Sequence, residues 1–231
     1  MLLEIKNVNK DYFRKKALID INMQIEEGKI VGLLGPNGSG KTSLIKMIAC
    51  LIRADQGEIF VDGQKIGIET KKTVSYLPDN DFLPSWMKIK DAVKYYEDFF
   101  PDFNRNKCID LIKFMKLDEN MKTKALSKGM GEKLNLSLVL SRESRLFLLD
   151  EPLAGVDPVA REKILDCIIN NYNEKSAMLI STHLINDIEG IFEEVVFIKE
   201  GRIVLHKNAE EIREKNNKSI DELYRQVFRD E

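Results

Sequence analysis

The stretch that most constrains the fold is Gly35-Pro36-Asn37-Gly38-Ser39-Gly40-Lys41-Thr42. An apolar run at 30–34 precedes it and reads as a buried strand. Leu44, Ile45, Ile48 and Leu51 follow at helical spacing. A strand that turns through glycines directly into a helix is the setting of a phosphate-binding loop. The glycines let backbone N–H groups converge on phosphate oxygens with no Cβ in the way. The helix start adds free amides and the positive end of its dipole. Lys41 is placed to reach the outer phosphates, and the Thr42 hydroxyl to ligate an accompanying magnesium ion. Ser43 continues the phosphate-contacting segment.

Beyond the loop, strand and helix periods alternate along the chain, which predicts an α/β architecture. Strands are expected at 3–8, 18–25, 30–34, 58–61, 74–77, 146–149, 178–181, 195–199 and 203–206, with turns at Asp62-Gly63 and Glu200-Gly201. The middle differs. Ile89, Ala92, Val93, Tyr96 and Phe100, then Cys108, Leu111, Ile112 and Met115, keep helical spacing. A helical insertion over about 86–141 is expected, with short charged helices over about 208–231. All of 1–231 is read as one domain.

Several classes fall away on composition. The formal net charge is −2, so no basic excess points to nucleic acid as a partner. No apolar run approaches a membrane-spanning length. The first ten residues alternate like a strand and lack the charge and apolar regions of a signal peptide. Cys50, Cys108 and Cys167 lie far apart in apolar-periodic segments and are expected as reduced core thiols. A cytoplasmic location is expected.

A second chemical element is Leu146-Phe147-Leu148-Leu149-Asp150-Glu151. Four apolar residues make a buried strand that delivers two carboxylates at its C-terminal edge, where open α/β sheets bind ligands. Asp150 is expected at the metal, and Glu151 beside the attacking water.

The guanine-reading Asn-Lys-x-Asp element of many GTPases does not occur. Taken together, the motifs resemble those of the ATP-binding cassette (ABC) ATPases, over nearly the whole chain. Tyr12, 29 residues before Lys41, resembles the aromatic residue that stacks on adenine in that family, and Phe13 offers a substitute. After the strand at 74–77 the family usually carries glutamine; this chain has Asp79, an acceptor that cannot donate while ionised. Leu126-Ser127-Lys128-Gly129-Met130 resembles the signature Leu-Ser-Gly-Gly-Gln, keeping Ser127 and Gly129 but placing Lys128 between them. Ala154-Gly155-Val156-Asp157-Pro158 resembles the D-loop. His183, after Ser181-Thr182, resembles the switch histidine; the chain's only other histidine is His206.

The resemblance implies a P-loop NTPase fold of the ABC nucleotide-binding type, with an N-terminal antiparallel β subdomain and a helical insertion. It implies an ATPase with Mg²⁺ as cofactor. Two cassettes, homo- or heterodimeric, would sandwich two ATP molecules, with Ser127, Lys128 and Gly129 of one capping the nucleotide on the other. Asp79 would join Thr42 and Asp150 at the metal, and Asp157 would signal between the sites. Integral membrane permease subunits would be driven by the cycle, most readily in export, and would hold the protein at the inner face of the membrane. The alternatives are a soluble relative acting on nucleic acid or the ribosome, disfavoured because only 86 positions separate Lys41 from Ser127, and a regulatory cassette that hydrolyses ATP poorly, for which Asp79 and the altered signature leave room. Phe82, Leu83, Pro84, Trp86 and Met87 are expected as an apolar permease-docking patch.

Overall fold

Alternating apolar and polar residues near the N-terminus pair into an antiparallel sheet. The computed structural model describes residues 1–13, 15–80, 82–216 and 218–229. Strand β1 (Leu3–Tyr12) lies between β2 (Lys15–Ile25) and β4 (Gln56–Val61), with the short β5 (Gln64–Lys65) outside. Leu3 sits opposite Ile25, and Tyr12 opposite Lys15. The sequence pattern ends the first strand at residue 8 because the alternation breaks there. The structure carries pairing on to Tyr12 through register shifts. Asn7 and Asp20 take positive φ at these irregularities, and the Asn7 amide donates to the Asp20 carboxylate at 2.9 Å. A bulge of this kind adds a residue without ending the strand.

The second sheet has the order β10-β9-β3-β8-β7-β6. Here β3 (Lys29–Leu34) runs parallel to β8 (Ala177–Thr182) and β9 (Glu194–Lys199), and β7 (Leu146–Asp150) runs parallel to β8 and to β6 (Val74–Leu77). Only β10 (Arg202–Asn208) is antiparallel. The central strands are continuous apolar runs because both faces are covered. One face packs on α1 (Lys41–Ile48) and the antiparallel sheet. The other packs on the remaining helices.

Those helices include α2 (Ile89–Phe99), α3 (Arg105–Phe114) and α4 (Lys128–Leu140), which fill the expected insertion. Buried Arg142 ties the insertion to the sheet. It donates to the Asp102 carboxylate at 3.1 Å and to the Val74 carbonyl at 2.7 Å, and lies 4.2 Å from the Phe100 ring centre. Helices α5 (Pro158–Asn170) and α6 (Ile185–Ile188) follow β7 and β8. The tail forms α7 (Ala209–Asn216) and α8 (Ile220–Val227), with Tyr224 and Phe228 packed on Phe197. Cys108 and Cys167 are buried and free. Cys50, also free, is only partly covered, because it stands in the turn leaving α1 with positive φ.

The parallel arrangement brings four strand ends to one edge. The segments that follow β3, β6, β7 and β8 carry Lys41, at the start of α1, Asp79, Glu151 and His183 respectively.

Candidate functional site

The glycine loop leaves β3 and closes onto α1. Gly40 caps the helix at φ 112°, and a Cβ there would come within 2.7 Å of the Ala17 carbonyl oxygen. Only glycine fits that backbone and that space. Lys41 turns inward and is buried. Its ammonium donates to the Gly35 carbonyl at 2.7 Å and the Pro36 carbonyl at 3.2 Å, and lies 3.8 Å from the Glu151 carboxylate. Burial lowers its pKa, and Glu151 and Asp150 work in the opposite direction. Asn37 and Gly38 form the outer turn, where the Lys15 ammonium stands beside Gly38. The Ser39 N–H donates to the Pro36 carbonyl, and its buried hydroxyl has no partner among the described residues. Ser43 lies in α1, half-buried.

Asp150 ends β7 and is 1% exposed. One carboxylate oxygen accepts from the Ser181 hydroxyl and, at 3.3 Å, from the Thr42 hydroxyl. The other is buried with no partner among the described residues. Burial raises the pKa of Asp150. Ser181 and Thr42 oppose the rise, and Asp79 and Glu151 reinforce it. Glu151 takes φ 52°, a left-handed conformation that costs a residue of this type about 1–3 kcal/mol. Its N–H donates to both the carbonyl and the hydroxyl of Ser181 at 3.1 Å. That twist aims its carboxylate at His183, whose Nδ1 is 2.8 Å away, while the other oxygen faces Lys41. Lys41, Thr42, Asp150, Glu151 and His183 therefore form one group. Ser181, which ties Asp150 to Glu151, carries no sequence signal of this role. It is found only because β7 and β8 pair with Asp150 opposite Ser181.

The remaining expected residues are placed around that group. Asp79 accepts from the Asn80 side chain at 2.9 Å and is close enough to Asp150 and Tyr76 to raise both their pKa values. Tyr12 is exposed at the end of β1, its ring 5.4 Å from the Lys10 ammonium, and Phe13 is fully exposed beside it. Ser127 caps α4 by accepting from the Met130 N–H at 3.3 Å. Ser127 and Lys128 line a cleft of about 480 Å³ shared with Asp79 and Asn80. The Lys128 side chain lies across Gly155: a Cβ on Gly155, at φ 70°, would come within 2.6 Å of the Lys128 Cε. Gly129 faces Val156 more loosely. Asp157 caps α5 by accepting from the Ala160 N–H. The expected docking patch divides: Trp86 and Phe82 are exposed, whereas Met87 is buried in the helical core and Leu83 packs against it. His206 pairs with Glu194 away from this edge.

A sequence model of the family described as "ABC transporter" matches residues 18–154. The chain belongs to the ABC transporter family. It is an ATP-binding cassette and an ATPase. The ABC transporter ATP-binding protein YtrB of Bacillus subtilis is 30% identical to this cassette over 217 residues, covering 92% of this chain and 74% of YtrB. The lipopolysaccharide export system ATP-binding protein LptB of Haemophilus influenzae is 28% identical, covering 96% of each chain. A solved ATP-binding subunit of an ABC transporter superposes with a TM-score of 0.87 at 25% identity, covering 99% of this chain and 100% of that one. The dimeric ADP- and phosphate-bound cassette MJ0796 shares the fold, with a TM-score of 0.81 at 22% identity over 90% of this chain and 98% of its own.

ABC ATPases work on ATP with Mg²⁺, and the residues present fit that ion. The unpartnered Asp150 oxygen and the Thr42 hydroxyl are hard oxygen ligands. Among the described residues no group of three or more His, Cys, Asp or Glu side chains forms a self-sufficient metal site. An ion that takes its other ligands from phosphates and water needs none.

Proposed function

We propose that this cassette binds ATP with Mg²⁺ at the Lys41 edge and hydrolyses it in a closed dimer, powering export through separate permease subunits. The observation that carries this reading is the convergence of Lys41, Thr42, Asp150, Glu151 and His183 at one end of the parallel sheet.

Residues 35–43 hold the phosphates through backbone amides, and Tyr12 stacks on the base. Lys41 exchanges its carbonyl partners for phosphate oxygens. Thr42, Asp150 and Asp79 would hold the magnesium ion. When bound, the ion neutralises the phosphate charge and keeps the oxygens in line for displacement. Glu151 accepts the proton of the attacking water, and His183 fixes the orientation of that carboxylate. Ser127, Lys128 and Gly129 of a second cassette cap the outer phosphate with a helix N-terminus, and Asp157 lies at that junction.

Among the described residues no helix is long and apolar enough to cross a membrane. Transport therefore calls for permease subunits, and the cassette would sit on the membrane's inner face through them. Export is favoured by the likeness to LptB, named for lipopolysaccharide export. The test is Glu151→Gln. The wild type is expected to turn over ATP with Mg²⁺. The variant is expected to lose turnover by about a hundredfold or more and to elute as an ATP-dependent dimer in size-exclusion chromatography with light scattering. A variant that hydrolyses ATP at the wild-type rate refutes the assignment.

A further inference from the structure

Two turns leave neighbouring strands at the site edge. One follows β7 and runs from Glu151 through Gly155 and Val156 to Asp157. The other follows β8 and runs from His183 into α6. At their base they are joined twice, by the Glu151 N–H on Ser181 and by the Glu151 carboxylate on His183. Further out they are joined by one side chain. Arg161, in the first turns of α5, donates from Nε to the Val156 carbonyl at 2.9 Å and from Nη1 to the Asp187 carboxylate on α6. The guanidinium fork thus spans both turns and closes a ring: Glu151, Val156, Arg161, Asp187, His183 and back to Glu151.

We propose that Arg161 is a positioning residue that clasps the Asp157 turn to the His183 turn, so that the two move as one body. The proposal rests on the reading of Glu151 and His183 given above. The fork suits the task. A planar guanidinium directs separate N–H groups at a carbonyl and a carboxylate in fixed geometry, which a lysine ammonium does not. The far end of the switch segment is anchored independently. The Arg213 guanidinium donates to the Glu189 carbonyl, and the Asp221 N–H on α8 donates to the Glu189 carboxylate at 3.0 Å. Ile185 and Ile188 bury α6 against the core. With its end pinned by the tail, the segment is held to the β7 turn by the Glu151–His183 contacts at the base and by Asp187 further out. A displacement of the Gly155–Asp157 turn by a second cassette would then reach His183 through Arg161, without passing through the nucleotide.

An exposed ion pair without this role would contribute little to anything measurable. The test uses the full chain carrying Arg161→Ala, Arg161→Lys, Asp187→Asn and the Ala/Asn double variant. Steady-state hydrolysis, thermal melting and hydrogen–deuterium exchange of residues 183–188 are measured for each. The single Ala and Asn variants are expected to lower kcat about tenfold with KM near wild type and melting nearly unchanged. The double variant is expected to be no worse than either single, as for two residues acting as one unit. Arg161→Lys should fall between them and the wild type. Exchange at 183–188 should quicken in Arg161→Ala. An unchanged kcat in both single variants, or losses that multiply in the double, would overturn the clasp. So would unchanged exchange, and that readout needs no turnover. Wild-type turnover and its loss in Glu151→Gln test the underlying site separately, so failure of that reading is told apart from failure of the clasp.

Discussion

Asp150 is a carboxylate kept in place at a cost, and Asp150→Asn should make the cost visible. The side chain is 1% exposed, with one oxygen hydrogen-bonded to Ser181 and Thr42 and the other without a partner among the described residues. A buried polar atom left unsatisfied costs about 1–3 kcal/mol, and more when charged. Asparagine keeps the shape and the bonded oxygen and puts an unpartnered neutral NH2 where the unpartnered charged oxygen stood, so only the part of the cost due to the charge is relieved. In EDTA without nucleotide at pH 7.5, the variant should therefore be more stable by about 1 kcal/mol. At roughly 2–4 °C per kcal/mol for a chain of this size, that is a rise of some degrees in Tm. The pH dependence follows from the raised pKa. The folded protein keeps a proton on Asp150 at pH values where the unfolded chain, near the ordinary 3.8, has lost it. The folded state binds more protons in that window, so wild-type stability falls as pH rises through it. The advantage of the variant should open above about pH 4 and be complete once the pH exceeds the folded pKa. Adding Mg²⁺ and ATP should reverse the order. A ligand at about a hundred times its Kd stabilises the wild type by about 2.7 kcal/mol, and the variant lacks the oxygen proposed to hold the ion. Differential scanning fluorimetry across pH reads all of this. A variant that melts at or below the wild type in EDTA at pH 7.5 would refute the argument that the carboxylate is uncompensated.

Arg142→Ala removes a buried cation from Asp102, from the Val74 and Lys72 carbonyls and from the Phe100 ring; urea unfolding should show a loss of about 3–5 kcal/mol. Gly40→Ala forces a side chain into φ 112° and against the Ala17 carbonyl. Stability should fall by about 1–3 kcal/mol, and titration with a fluorescent ATP analogue should show lost binding. Trp86 is 69% exposed, so Trp86→Ala should change stability by under about 0.5 kcal/mol while weakening co-purification with permease subunits; unchanged complex formation removes Trp86 from the docking surface.

The phosphate loop and the acidic strand were legible because each is contiguous. Their chemistry and their local structure are written in the same few residues. The group they form was not legible in that way. Glu151 meets His183 only because β8 lies between β3 and β7 in parallel register, with Asp150 opposite Ser181. Strand order is a tertiary fact that no local pattern encodes, so the resemblance to a family had to supply it. Ser181 and Arg161 were invisible for the same reason. Met87 failed differently. In a short loop, apolar character marks both a docking patch and a core anchor, and Met87 turned out to be an anchor, whereas Trp86 stayed outside. Lys128 was read as part of the capping segment, adding positive charge or simply solvated; that its stem lies across Gly155 is a contact between segments 27 positions apart, which no local pattern shows.

The charges at the edge bear on the proposal that two chains share each nucleotide. Asp79, Asp150 and Glu151 gather there, and Asp79 and Glu151 push up the pKa of Asp150. Lys41 offsets part of this charge, and burial lowers its pKa while Glu151 and Asp150 work to raise it. A triphosphate adds further negative charge to the same place. The divalent ion answers some of that, and a positive helix end would answer more. The start of α4, with Lys128, is such an end, but within this chain it borders the cleft at Asp79 while Ser127 caps its own helix. A second cassette turned head to tail would bring its α4 to the nucleotide on Lys41. Charge balance at the outer phosphate is then reached between chains and not within one. Specific ATPase activity should therefore fall steeply as protein is diluted through the dimer dissociation range, whereas nucleotide binding per chain should not. A specific activity that stays constant through that range would place the missing positive charge within the single chain.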